Sequence, residues 1–390
     1  MIRNAIRVLL PAVAVSLFGS TPALAQPGTV IVKYRSGVSS AQRGSVARRA
    51  GARRTVGTVR AQGARVMSVS GDPVAVARRL ASSDQVVFAE ANRRVRATRT
   101  PNDRLYRQLG GLAEIHAAAG WSALGLGSFP AAGGAPVGVV DTGIDTGHED
   151  LAGKVKACAG AVNGRIKTGA CVDDNDHGTH VAGTIAATPN NRVGVLGVAF
   201  NSPLIVCKAL DAAGSGKLAD VASCIAWAHE QGARVISMSL GGPASVSIRT
   251  AVRAAWSRGG AHGSVVVAAA GNDGNTATDF PAGYPEVVSV AAVDDAGRHA
   301  SFSNANADVE IAAPGVQVLS THRGGGYVRF SGTSMATPHV AGAAALLWGA
   351  HPRSTAASIR KQLDGSVTDS GPAGRDPSFG WGVLDLARVP

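Results

Sequence analysis

The sequence predicts an α/β protein, built on a central parallel sheet with helices on both faces and preceded by a small separate module. Three observations lead there. Beyond residue 105, short apolar runs alternate with longer helical stretches, the pattern of strands buried on both sides and joined by crossover helices. Charge is divided unevenly: residues 1–100 hold 17 Lys/Arg against 3 Asp/Glu, whereas residues 101–390 hold 21 against 23. The chain is rich in Gly (50 residues) and poor in aromatics (4%), a composition suited to closely packed layers.

Taken in order, the first 25 residues read as an export signal. Arg3 and Arg7 give a positive start, Val8–Phe18 an apolar core, and Ala23-Leu24-Ala25 a small-residue cut site before Gln26. The core is too short for a comfortable membrane span. The module follows, with strands at Thr29–Tyr34, Ala64–Val69 and Val86–Glu90 and helices at Ser40–Ala50 and Val74–Ala81. The polar stretch 97–104, A-T-R-T-P-N-D-R, reads as an exposed linker open to cleavage. In the larger part, strands are expected at Val137–Val140, Leu204–Ala209, Val235–Met238, Ser264–Ala269 and Val287–Ala292. Helices are expected at His177–Ala187, Leu218–Gln231, Val246–Arg258 and Ser334–Trp348.

The net charge of +12 belongs to the leading quarter of the chain. Neither an aromatic-and-basic RNA motif nor zinc-finger spacing accompanies it, so nucleic acid is not an expected partner. Beyond the signal no stretch reads as membrane-spanning. Four cysteines, Cys158, Cys171, Cys207 and Cys224, lie past residue 100. An exported chain meets an oxidising compartment, where an even count implies two disulfides. Three pairings are open. The two local ones, Cys158–Cys171 and Cys207–Cys224, are favoured, each closing a loop worth about 3 kcal/mol.

Chemistry concentrates at three places. The first strand of the larger part ends in G-V-V-D-T-G-I-D, which puts Asp141 at a strand's carboxyl end, where open parallel sheets collect functional groups. An aspartic protease would need two D-T-G segments, and only one is present. D-N-D-H-G-T-H-V-A-G-T places His177 at the start of a helix, free to point off its end, with His180 one turn deeper as a packing or structural residue. A zinc site would want H-E-x-x-H, and its spacing and glutamate are both missing. G-T-S-M-A-T-P-H-V-A-G sets Ser334 at the first turn of an apolar helix, where unpaired amides and the helix dipole suit a developing oxyanion. Between these lies V-V-V-A-A-A-G-N-D-G, a buried strand running into a turn that bears Asn272. A lipase or esterase would show G-x-S-x-G and the order Ser, Asp, His, and this chain shows neither.

Together, D-T-G, H-G-T-H-V-A-G-T and G-T-S-M-A-T-P resemble the motifs of secreted subtilisin-like serine proteases (subtilases), closest to the proteinase K/aqualysin-like branch. The resemblance covers about residues 101–390, and the family's inhibitory prodomain pattern covers 26–100. It implies a subtilisin-like catalytic domain behind an α+β, ferredoxin-like prodomain that assists folding and blocks the cleft with its last strand, about Glu90–Ala97, until cut. It also implies an Asp141–His177–Ser334 triad working through an acyl-enzyme, with an oxyanion hole from the Asn272 amide and the Ser334 N–H. Substrate would lie extended between Gly214–Gly216 (Gly214, Ser215, Gly216) and Ser239–Gly241 (Ser239, Leu240, Gly241). Ala269, Ala270 and Gly271 would wall S1, Leu218 would line a more distant apolar pocket, and Asp273 would stand at the S1 rim. From these small walls, broad tolerance with a mainly apolar P1 preference and some acceptance of Lys or Arg is expected. No cofactor is implied for catalysis. Structural Ca2+ is implied at Asp150 and Asn191, with carbonyls of Pro189, Val193 and Val195 as further ligands. The expected product is a monomer in the extracellular medium or the periplasm, acting on protein and peptide substrates and held by its own prodomain. A pseudoenzyme that binds extended peptides is the competing reading.

Overall fold

The computed structural model describes residues 28–92 and 100–389. The expected signal segment 1–25 and residues 97–99 of the expected linker lie outside them. The chain divides into two compact units at Val95/Arg96.

The first unit runs β1 (Thr29–Tyr34), α1 (Ser40–Ala50), β2 (Ala52–Val59), β3 (Ala64–Val69), α2 (Pro73–Ala81) and β4 (Val86–Ala91). The strands form an antiparallel sheet in the order β2-β3-β1-β4, the ferredoxin-like arrangement. Local sequence sets both helices. Ser39 and Gln42 close a reciprocal capping box on α1, which stops at Gly51 in the left-handed region (φ 92°). Asp72 caps α2, and Pro73 occupies its first turn. Strand periodicity puts Val30, Val32, Met67 and Val69 on the core side against Val46, Ala47, Val76 and Leu80. Strand β2 was not expected. It carries Arg53 and Arg54, and four consecutive residues are exposed, so it has no apolar alternation to read.

The second unit opens with two short helices, α3 (Gly110–Glu114) and α4 (Ala117–Ala123). It continues through β5 (Val137–Asp141), β6 (Val155–Val162), β7 (Arg165–Thr168), α5 (His177–Ala186), β8 (Leu204–Lys208), α6 (Leu218–Glu230), β9 (Val235–Met238), α7 (Val246–Trp256), β10 (Val265–Ala269), β11 (Val287–Val293) and β12 (Val309–Pro314). A hairpin of β13 (Val318–His322) and β14 (Gly326–Phe330) precedes α8 (Thr333–Ala350), α9 (Ala356–Asp364), β15 (Val367–Thr368) and β16 (Val383–Leu384). Ten strands make one mostly parallel sheet, ordered β15-β16-β12-β11-β10-β9-β5-β8-β6-β7; β7 and β15 pair antiparallel at its two edges. Helices α6 and α7 pack on one face around Val140, Ile205, Ile236 and Val266. Helices α5, α8 and α9 cover the other around Val137, Val139, Val206 and Val267. Successive strand residues therefore enter opposite cores, which is why these strands read as unbroken apolar runs. Two disulfides, Cys158–Cys171 and Cys207–Cys224, tie β6 to the turn ahead of α5 and β8 to α6.

Strand β5 lies between β8 and β9, so the order of connections reverses there. A crevice opens at the carboxyl ends of strands at such a point.

Candidate active site

Asp141 is the last residue of β5 and is fully buried. Its Oδ1 accepts from the Thr142 N–H at 2.7 Å and from His177 Nδ1 at 2.8 Å. His177 is the first residue of α5, and its side chain is one-quarter exposed. Burial acts to lower the basicity of that ring. The charge and hydrogen bond of Asp141 outweigh it, with the charge of Asp173 adding, and hold the His177 pKa above its ordinary value.

Ser334 is the second residue of α8, a helix with no side-chain cap at its start. Its hydroxyl donates to the Ser239 carbonyl at 3.2 Å, and the Ser239 hydroxyl donates back to the Ser334 carbonyl at 2.7 Å. The second bond has a cause in sequence. Pro338 stands four residues on, deeper than the first turn, and has no N–H to give the Ser334 carbonyl. Ser239 takes that place, so the proline couples the two segments. The Asn272 carboxamide oxygen accepts from the Thr333 N–H and hydroxyl, both at 2.8 Å, which leaves its Nδ2 free to donate elsewhere. A methyl built on Gly332 would stand 3.6 Å from that Nδ2 and 3.7 Å from the Ser334 N, so the two nitrogens border one space.

His177 and Ser334 face one cavity of about 470 Å³. Gly214, Ser215, Gly216 and Leu218 line one side, and Ser239, Leu240 and Gly241 the other. Gly271, Ala269 and Ala270 are buried and are not among the residues that line it. Thr142, Leu210, Ile248 and Phe280, which the sequence did not single out as site residues, also line it.

Two acidic residues ahead of His177 were also missed. Asp173, 5% exposed, accepts through Oδ1 from the Thr142 hydroxyl (2.8 Å) and the N–H groups of Asn175 (3.0 Å) and Asp176 (3.1 Å). Through Oδ2 it accepts from the Thr179 N–H (2.9 Å) and hydroxyl (2.5 Å). One carboxylate thus fastens the end of β5 to the His177 turn. Burial works against its charge, but these donors outweigh burial and hold its pKa below the ordinary value. Asp176 takes a left-handed conformation (φ 99°) and is held by Arg323 Nε at 2.6 Å from the β13–β14 turn. His180 is buried, bonds the Val318 carbonyl at 2.9 Å and stacks on Phe330.

The family model described as "Subtilase family" matches residues 133–382. The chain belongs to the subtilase family. A second model, "Fervidolysin N-terminal prodomain", matches residues 22–92. This subtilase is similar to "Thermophilic serine proteinase" of Bacillus sp. (strain AK1), 39% identical over 82% of this chain and 77% of the relative. It is 46% identical to "Subtilisin DY" of Bacillus licheniformis over 60% of this chain and 84% of the relative. A solved protease from Pseudoalteromonas arctica PAMC 21717 superposes with a TM-score of 0.66 at 32% identity, covering 75% of this chain and 98% of that one. The protein is a serine endopeptidase of this family with a prodomain.

The subtilase domain also holds a patch of hard oxygen donors. Asp150 is fully buried and accepts from Asn191 Nδ2 (2.6 Å), the Val195 N–H (2.8 Å) and the Tyr327 hydroxyl (2.9 Å). Asp103 Oδ1 is buried without a partner, and its Oδ2 accepts from the Asn190 N–H at 3.0 Å. Burial, with the charge of Asp150 adding, raises the Asp103 pKa. Two neighbouring carboxylates, one with an orphaned oxygen, fit a hard cation. Among the described residues no group of three or more His, Cys, Asp or Glu side chains is arranged to hold a metal, so amide and backbone oxygens would have to complete this one.

Proposed function

We propose that this subtilase cleaves peptide bonds with Ser334 as nucleophile, His177 as general base and acid, and Asp141 as the orienting carboxylate. The observation that carries the reading is the Asp141–His177 bond at 2.8 Å beside a cavity that His177 shares with Ser334. Nδ1–H held on Asp141 leaves Nε2 to accept a proton. With substrate present, the Ser334 hydroxyl turns from the Ser239 carbonyl toward that nitrogen and attacks the scissile carbonyl. His177 then returns the proton to the leaving amine, and water repeats the exchange to free the acyl-enzyme. The oxyanion forms beside Asn272 Nδ2 and the Ser334 N–H, whose loss would cost about 3–4 kcal/mol per donor.

Substrate lies extended between Gly214–Gly216 and Ser239–Gly241, whose small residues let a peptide backbone approach. The cavity's apolar lining, Leu210, Leu240, Ile248 and Phe280 among it, favours apolar P1 side chains broadly. No cofactor takes part in catalysis. Ca2+ at Asp103, Asp150 and Asn191 would supply stability alone, with carbonyls of Pro189, Val193 and Val195 as further ligands. The leading module, 26–100, acts as the intramolecular inhibitor of the 101–390 domain, and residues 1–25 direct export to the extracellular medium or periplasm. No described helix is long and apolar enough to cross a membrane.

Casein digestion by purified native and Ser334→Ala protein tests the reading. Hydrolysis that disappears with the hydroxyl is expected; equal hydrolysis by both proteins would overturn it.

A further inference from the structure

Asp176 stands immediately before His177 and breaks two local rules. It is the N-cap of α5, yet its side chain accepts nothing from the helix. The first amides of α5 are taken elsewhere: the Thr142 hydroxyl oxygen accepts from the Gly178 N–H at 2.8 Å, and Asp173 accepts from the Thr179 N–H at 2.9 Å. Its backbone is also left-handed (φ 99°), a region that strains a residue with a Cβ and that glycine takes freely. A left-handed aspartate that caps nothing is held in that conformation from outside the helix.

Its carboxylate turns to the β13–β14 hairpin. Oδ1 accepts from Arg323 Nε at 2.6 Å, and Oδ2 lies 3.3 Å from His322 Nε2. The Asp176 side chain is only 19% exposed, so the pair is better shielded than an ordinary surface ion pair. Further stitches join the same two elements. The Thr321 hydroxyl donates to the Thr179 carbonyl at 2.7 Å, the Ser320 hydroxyl donates to the His180 carbonyl at 2.8 Å, and His180 stacks on Phe330. Phe330 ends β14, and the chain reaches Ser334 four residues later. The seam therefore runs between the segment that carries His177 and the one that leads into Ser334, and Asp176 is the stitch beside His177. Neither Asp176 nor Arg323 lines the substrate cavity.

We propose that Asp176 and Arg323 are positioning residues for hydrolysis: their ion pair holds the left-handed turn that sets His177 in register with the Ser334 segment. Without the pair the strain relaxes, the turn leaves the left-handed region, and the imidazole loses its place between Asp141 and the serine. The proposal rests on the reading of His177 as general base and Ser334 as nucleophile.

The test is steady-state hydrolysis of succinyl-Ala-Ala-Pro-Leu p-nitroanilide by the mature native enzyme, Arg323→Gln, Asp176→Ala, Asp176→Gly and Asp176→Gly/Arg323→Gln. Fluorophosphonate titration counts competent sites in each. Arg323→Gln and Asp176→Ala should each lose about tenfold in kcat per competent site, with KM within about twofold, because the base is displaced while the substrate edges are not. Asp176→Gly loses the same carboxylate but takes the left-handed turn without strain. It should keep kcat within about threefold of native, and adding it to Arg323→Gln should restore that variant to the same level. Arg323 lies on an exposed turn, so Arg323→Gln carries the test should Asp176→Ala not fold. Native kcat in Arg323→Gln with only a lowered Tm, a loss that lies in KM, or equal kcat losses in Asp176→Ala and Asp176→Gly overturns this proposal and leaves the triad reading standing. A native enzyme with neither hydrolysis nor fluorophosphonate uptake at Ser334 overturns both.

Discussion

Replacing Asp173 by Asn tests how the His177 turn is held. The native carboxylate takes five hydrogen bonds, three of them from backbone amides, between Thr142 and Thr179. An amide has one acceptor oxygen. If it faces Thr142, Asn175 and Asp176, its NH2 group confronts the buried Thr179 N–H, stranding a donor at about 1–3 kcal/mol. The remaining bonds lose their charge assistance, so a total of about 3–4 kcal/mol at neutral pH follows. Because the folded pKa of Asp173 is depressed, its contribution is present above the unfolded carboxylate value and lost as pH falls through the folded one. The stability gap in urea melts should therefore be widest at pH 7 and close below about pH 4. A second readout separates positioning from mere stability. The charge of Asp173 raises the His177 pKa, so removing it moves the acidic limb of kcat/KM to lower pH. An unmoved limb together with a pH-independent stability gap would refute the reasoning.

Three further outcomes follow from the same geometry. Cys207–Cys224 closes the segment that carries the Gly214–Gly216 edge, so Cys207→Ala/Cys224→Ala should cost about 3 kcal/mol and lower Tm by roughly 6–10 °C in calorimetry. Chelation should lower Tm of the native enzyme by an amount corresponding to up to about 3 kcal/mol of ligand linkage, and should leave Asp150→Asn unchanged; an equal response in both would remove the cation proposal. Asn92 is bonded to Thr29 (2.9 Å) and Asn102 to Asn190 (3.1 Å), so the maturation cut should fall between them, a stretch whose sequence holds Arg93, Arg94, Arg96 and Arg99. N-terminal sequencing of the mature form reads it directly, and retention of Thr29–Tyr34 in active enzyme would defeat the inhibitor role.

Where side chains alone set the structure, the sequence could be read. The strands buried on both faces, β5, β8, β9, β10 and β11, are apolar runs and were expected nearly to the residue. Strand β12 escaped because Glu310 is its second residue, buried and legible only beside its partner Arg360, 50 residues away. Strand β6 is built largely of small residues, which signal no structure by themselves. In the site, the motifs marked Asp141, His177 and Ser334 because chemistry confines them to strand ends and helix starts. Asp173 left no comparable mark. It matters through the amides and hydroxyls it gathers from the end of β5 and the start of α5, and only the folded chain brings those together. Pro338 could be placed near a helix start, but not the Ser239 hydroxyl that takes over the carbonyl it leaves unpaired.

The most direct test of the central claim is the rate and location of fluorophosphonate labelling of the mature domain, followed by peptide mapping across pH. The account predicts a single adduct on Ser334, formed faster as His177 loses its proton at a pKa above the ordinary imidazole value, and slowed about 10,000-fold in Asp141→Asn. Labelling on another residue, or at a rate indifferent to both pH and Asp141, would contradict it.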